Sequence, residues 1–146
     1  MFKHILICTD GSPLAIKAAK GAIALAKSLG AKVTAYCALD DLLPVYADGY
    51  AFDQQTTDRF EAAIHTVGQK RVDAIGKLAK AARVPFVTLV TKAYAPADGI
   101  IDAAKKQKCD VIVMASHGRS GISKLFMGSV TQKVLTHSRI PVVVYR

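Results

Sequence analysis

Short apolar runs alternate with longer stretches of helical spacing along the whole chain, and this alternation restricts the fold more than any other feature. The apolar runs are His4 to Thr9, Val33 to Leu39, Phe86 to Thr91, Val111 to Ala115 and Val142 to Tyr145. Most are continuous rather than alternating, which suits strands covered on both faces. Between them lie helical patterns, and a strand-helix-strand order demands parallel neighbours joined by right-handed crossovers. Five strands and four helices therefore predict an α/β fold, a doubly wound parallel sheet in the order 3-2-1-4-5. A length of 146 residues suits one domain, spanning 1–146.

The helices have local signals. Ser12 caps the first and Pro13 occupies its first position, with Gly30 ending it. Its expected buried stripe is Ile16, Ala19, Ile23 and Ala26. From about Thr57 to Ala82 the expected stripe is Phe60, Ile64, Val67, Ile75, Leu78 and Ala82, interrupted by Gly68 and Gly76. Pro96 opens a helix through Ala97, Ile100, Ile101 and Ala104.

One stretch carries chemistry. Val111 to Ala115 leads into Ser116-His117-Gly118, a glycine-rich loop follows, and Gly128-Ser129 opens a helix with Val130, Val134 and Leu135 on its expected apolar face. Amides at a helix start stabilise an anion. Gly118, Gly121 and Gly128 let backbone approach a phosphate, Ser129 and Thr131 can donate hydroxyls, and Arg119 and Lys124 add charge. Two readings stand: a phosphate-binding loop, or a glycine-punctuated connection with no ligand. Asp10 follows the first strand at the sheet's carboxyl edge. It can bond a ribose hydroxyl or help hold Mg²⁺ on phosphates, or it can cap its own turn. In the predicted order, both elements face the crevice between the first and fourth strands.

The spacing Ala115-x2-Gly118-x9-Gly128-Ser129, together with Thr9-Asp10-Gly11-Ser12, resembles the nucleotide-binding signature of the universal stress protein family, with alanine where the signature has its first glycine. The resemblance runs from His4 to Arg146. It implies a Rossmann-like fold of the adenine nucleotide alpha hydrolase type and an ATP-binding regulatory protein acting in stress, with Mg²⁺ carried on the phosphates. The positions it places on the nucleotide are Thr9, Asp10 and Ala38, the last through its backbone to adenine, with Met114, Ala115, Gly118, Arg119, Gly121, Gly128, Ser129, Val130 and Thr131 completing the set. It also implies a homodimer, and the exposed edge of Val142 to Tyr145 is where the pairing is expected. The alternative is a member without nucleotide, acting as an interaction or chaperone-like module, and Ala115 motivates it.

Other classes find less support. The lysine-bearing phosphate loop Gly-x4-Gly-Lys-Ser/Thr is absent, and His117 is the single loop residue considered for orienting water, so at most slow ATP hydrolysis is expected. No apolar run approaches the ~20 residues of a membrane span. Met1-Phe-Lys-His-Ile lacks the layout of a signal peptide, so the expected compartment is the cytoplasm. A net charge of +9 favours anionic ligands, but with aromatics at 7% and no Trp a nucleic-acid stacking platform is not expected. His4, His65, His117 and His137 share no metal-ligand spacing. Cys8, Cys37 and Cys109 read as buried apolar residues, with redox pairing of Cys8 and Cys37 as the alternative. Residues Asp40 to about Gln55 read either as a lid over the ligand edge or as a surface excursion packed by its own aromatics.

Overall fold

The structure is a computed structural model that describes residues 1–40, 53–118 and 127–146. In chain order it contains β1 (His4–Cys8), α1 (Pro13–Leu29), β2 (Lys32–Asp40), α2 (Gln54–Ala81) and β3 (Phe86–Ala93). These are followed by α3 (Pro96–Lys106), β4 (Val111–Ala115), α4 (Ser129–His137) and β5 (Val142–Tyr145). The sheet order is β3-β2-β1-β4-β5, and every neighbouring pair is parallel. The predicted topology is the observed one.

Layering follows from that order. With right-handed crossovers, helices that step the chain from β1 out to β3 cover one face, and those that return it to β4 and β5 cover the other. Accordingly Ile5, Ile7, Val33 and Val113 pack with Ala19, Ile23, Val72 and Ile75 of α1 and α2. On the opposite face Leu6, Ile112 and Met114 pack with Ile100, Ala104 and Val134 of α3 and α4. Side chains alternate along each strand, which places Cys8 in the second cluster and Cys37 in the first. The two thiols lie on opposite faces of the sheet, and this geometry removes the redox pairing.

The α1 caps form as the sequence indicates. Ser12 Oγ accepts the Ala15 amide at 3.2 Å, and Gly30 takes the left-handed conformation at φ 64° while its amide returns to the last turn. The helix nevertheless rests on Ala15, Ala18, Ala19, Ala22, Ile23 and Ala26, with Ile16 only half-buried. Alanine is the true contact surface, because a small face lets the helix axis approach the sheet.

The same cause shifts the α2 stripe. Its buried face is Gly68, Val72, Ile75, Gly76 and Ala79, whereas Phe60 and Val67 are 40% and 47% exposed. A Cβ at position 68 would stand 2.7 Å from Leu39 Cδ2 and 2.9 Å from Val90 Cγ1. These glycines are therefore the packing surface and not a weakness in it, and a period traced from large apolar residues passes them by. In α4, Val134 is fully buried and Thr131 nearly so, while Leu135 is 41% exposed, so threonine takes the place expected for leucine. Of the segment from Asp40 to about Gln55, read as a lid or an excursion, residues 41–52 lie outside the described residues.

Candidate functional site

The reversal of strand order falls between β1 and β4, and their carboxyl ends open into a cavity of about 510 Å³. Thr9 and Asp10 reach it from β1, Ala38 from β2, and Met114, Ala115 and Gly118 from β4 and its loop. Gly128, Ser129, Val130 and Thr131 close it at the start of α4. Ten expected site residues thus line one hollow. Arg119, Gly121 and Lys124 lie outside the described residues.

The turn after β1 is built on its own side chains. Thr9 Oγ1 accepts the Gly11 amide at 3.0 Å, and Asp10 Oδ1 accepts the Ser12 amide at 3.0 Å, while Gly11 sits at φ 81°. One carboxylate oxygen of Asp10 therefore does cap its own turn. The other faces across the sheet, since a Cβ on Gly118 would run into Asp10 Oδ2. Asp10 and the β4 loop meet directly, and glycine at 118 is what permits it.

Gly128 has a comparable role. Its amide donates to the Ser116 carbonyl at 2.7 Å, and a Cβ there would be 3.3 Å from His117 Cα. This bond draws the two ends of the loop together and sets the start of α4 beside the end of β4. The Thr131 hydroxyl donates to the Ala115 carbonyl at 2.9 Å. Thr131 lines the cavity, and its hydroxyl proton is engaged in fastening α4 to β4. Ser129, in contrast, is exposed at the first position of the helix.

Ala115 is nearly buried and falls on the α1 face of β4 by alternation with Val111 and Val113. Ala115 is part of the cavity wall. The amides of the first turn of α4 have no acceptor within the helix and carry its positive dipole end toward the hollow. Asp10 supplies negative charge on the other side.

Several lining residues were not among those expected, Ala15 of α1 among them. Tyr36, Pro96 and Ile100 form an apolar wall on the α3 side, and the Tyr36 hydroxyl is held by Thr91 Oγ1 at 2.7 Å. Arg71 enters from α2, its side chain lying against Gly11 with Nη1 3.9 Å from Cys37 Sγ. Nothing in its local sequence marks Arg71, because it reaches the site through the packing of a helix remote in the chain.

Reactive chemistry is sparse among the described residues. Cys8 lines the cavity, but burial pushes its thiol far above the ordinary range, with the neighbouring thiols adding to the effect, so no thiolate nucleophile forms. Burial likewise raises the Tyr36 phenol, partly offset by its bond to Thr91. Ser116 Oγ pairs with His117 Nδ1 at 3.1 Å. Among the described residues no group of three His, Cys, Asp or Glu side chains is placed to hold a metal. No helix among them is long and apolar enough to cross a membrane.

Comparison with known proteins agrees with this geometry. The universal stress protein family model matches residues 1–146. A universal stress protein of Thermus aquaticus is 33% identical over 146 residues, covering 100% of both chains. The Methanocaldococcus jannaschii universal stress protein MJ0531 is 30% identical over 148 residues, covering 100% of this chain and 83% of the relative. Among solved structures, that of the hypothetical protein MJ0577 superposes with a TM-score of 0.84 at 23% identity, covering 99% of this chain and 96% of the other. Two universal stress proteins of the same fold were solved with nucleotides, one with cAMP (TM-score 0.68) and one from Archaeoglobus fulgidus with dAMP (TM-score 0.64). The fold, the cavity at its switch point and the family match over the full length agree, and the chain belongs to the universal stress protein family.

Proposed function

We propose that this protein is an ATP-binding regulatory member of its family, working as a homodimer and carrying Mg²⁺ on the nucleotide's phosphates. The observation that carries the reading is the cavity itself, in which Asp10 faces the Gly118 loop while the start of α4 forms the adjoining wall. Its volume lies within the range of about 300–1,000 Å³ common for small-molecule sites. The apolar wall of Tyr36, Ile100 and Met114 suits a base, Asp10 suits ribose hydroxyls, and the α4 amides with Ser129 suit phosphate oxygens. Relatives of the same fold with cAMP and dAMP support an adenine nucleotide as the ligand class.

Metal held by phosphates rather than by a protein cage agrees with the donor set, because Asp10 is the one carboxylate in the cavity wall among the described residues. Regulation by occupancy requires no catalyst. The half-exposed strand β5 leaves an edge open to pairing with a second copy.

Equilibrium dialysis with labelled ATP and Mg²⁺ tests the reading. Saturable binding is expected, and Ala115→Gly should change affinity by no more than about tenfold, since one buried methyl group is worth about 0.8 kcal/mol. Absence of binding in both proteins would leave the interaction-module alternative. Sedimentation equilibrium should give a dimer, converted to monomer by Val144→Asp.

A further inference from the structure

The edge of the sheet opposite the cavity holds almost all of the net charge that the described residues carry. Here the helices end and the strands begin, and the turns are tied together by bonds from Lys32 N to Lys3 O (3.0 Å) and from Asp110 N to His4 O (2.9 Å). Lys27, Lys80, Lys105 and Lys106 end their helices, and Lys3, Lys32, Arg83, Lys108 and Arg139 occupy the turns and strand starts. All nine are exposed. The one carboxylate at this edge among the described residues is Asp110, whose oxygens accept the Lys3 and His4 amides at 2.7 and 3.1 Å. Asp102 stands a turn above Lys106, and Asp73 two turns above Lys80.

The described residues include 18 Lys and Arg and nine Asp and Glu, of which nine cations and one acid belong to this edge. The remaining nine and eight nearly cancel. The net charge of the described residues is therefore a property of one face and not of their whole surface. Basic residues in a helix's last turn favour its dipole, but that accounts for none of the five cations in the turns and strand starts.

Two of those five are in left-handed backbone. Arg83 (φ 60°) and Lys108 (φ 54°) are the non-glycine residues with positive φ among the described residues, and Gly30 (φ 64°) holds the equivalent turn after α1. Left-handed backbone disfavours a Cβ. Glycine satisfies the turn after α1, whereas the turns after α2 and α3 carry cations at a strained position.

The geometry points to this basic edge as an electrostatic docking face for an anionic lipid surface, distinct from the nucleotide cavity and directed away from it. The cations come from all three layers, spreading over roughly 20 Å in each direction. A planar array of phosphates meets them together, while a nucleic-acid duplex curves away after one strip. Beside Arg83 the edge also presents Pro85, with Phe86 38% and Val87 51% exposed. Exposed apolar groups among cations suit the boundary of headgroups and acyl chains. Docked this way, the protein leaves its cavity open to solvent.

Flotation with phosphatidylcholine vesicles, with and without phosphatidylserine, tests the inference. Binding should require the anionic lipid and be lost at high salt. Each cation neutralised should lower partitioning about fivefold, so Lys105→Gln with Lys106→Gln loses about thirtyfold. Lys17→Gln with Lys20→Gln, equal in charge, should change it less than about twofold. Arg83→Gly and Lys108→Gly should weaken binding while holding or raising the melting temperature, an opposition that damaged folding cannot produce. Val87→Asn should weaken vesicle binding and leave any duplex DNA binding unchanged. Equal binding to neutral vesicles, equal loss in both lysine pairs, or preference for duplex DNA over anionic vesicles would each overturn the inference. None of these outcomes depends on whether ATP binds.

Discussion

Thr131→Val separates a structural hydroxyl from a ligand-binding one. Thr131 is 3% exposed, and its Oγ1 donates to the Ala115 carbonyl at 2.9 Å, joining the start of α4 to the end of β4. Valine retains the shape and removes the donor. Ala115 is itself only 9% exposed, so its carbonyl loses a partner where water has little access. A buried acceptor left without its donor costs about 1–3 kcal/mol. An unfolding entropy of about 2.1 cal/mol/K per residue over 146 residues amounts to about 0.3 kcal/mol/K. The expected fall in melting temperature is therefore about 3–10 °C. Calorimetry on the ligand-free protein gives the shift, and titration calorimetry with ATP well below the melting transition gives the affinity. Thr131→Val should lower stability with affinity changed less than about threefold, since the valine still packs beneath α4. Ser129→Ala should do the reverse: stability within about 0.5 kcal/mol, and affinity lowered about tenfold to a hundredfold through loss of a bond to a charged oxygen. A Thr131→Val protein that melts unchanged but no longer binds ATP would refute the structural role and restore the hydroxyl as a phosphate donor.

Two further outcomes follow from packing and burial. Gly68→Ala should destabilise by up to about 2 kcal/mol, because overpacking of about 1–3 kcal/mol against buried Leu39 exceeds the gain in helix propensity. Gly76→Ala should be near neutral or stabilising, because its Cβ meets the ring of Phe86, which is 38% exposed and free to swing out. Equal denaturant midpoint shifts in the two variants would contradict this contrast. His4 is buried with Nε2 2.8 Å from Thr34 Oγ1, and burial, with Lys32 adding to it, lowers its pKa below 6.5. The folded state therefore binds this proton less readily than the unfolded chain. The stabilisation is fully present above the unfolded value and is lost as pH falls through the folded one, with a slope of at most about 1.4 kcal/mol per pH unit. His4→Gln should flatten that part of the stability profile, and an unchanged slope would assign it to other groups.

What the sequence by itself determined is whatever depends on local pattern. Apolar runs such as Ile5 to Cys8 and Val111 to Ala115 specify strands, the Ser12-Pro13 start and Gly30 stop specify α1, and the alternation of elements specifies a parallel sheet and its order. The site was legible through the same stretches, because Asp10 and Gly118 follow strand ends whose meeting point the topology dictates and Gly128 opens the helix beside them. Only the tertiary structure decided which surface of each helix is inside and what each polar atom is bonded to. Gly68, Gly76 and the alanines of α1 are core because the sheet approaches them closely, and hydrophobicity by residue does not register a contact made by a missing side chain. Arg71 enters the cavity from a helix distant in the chain, Thr131 spends its hydroxyl on Ala115, and the scattered lysines and arginines collect at one edge. Each of these depends on distances across the fold, which no spacing along the chain encodes.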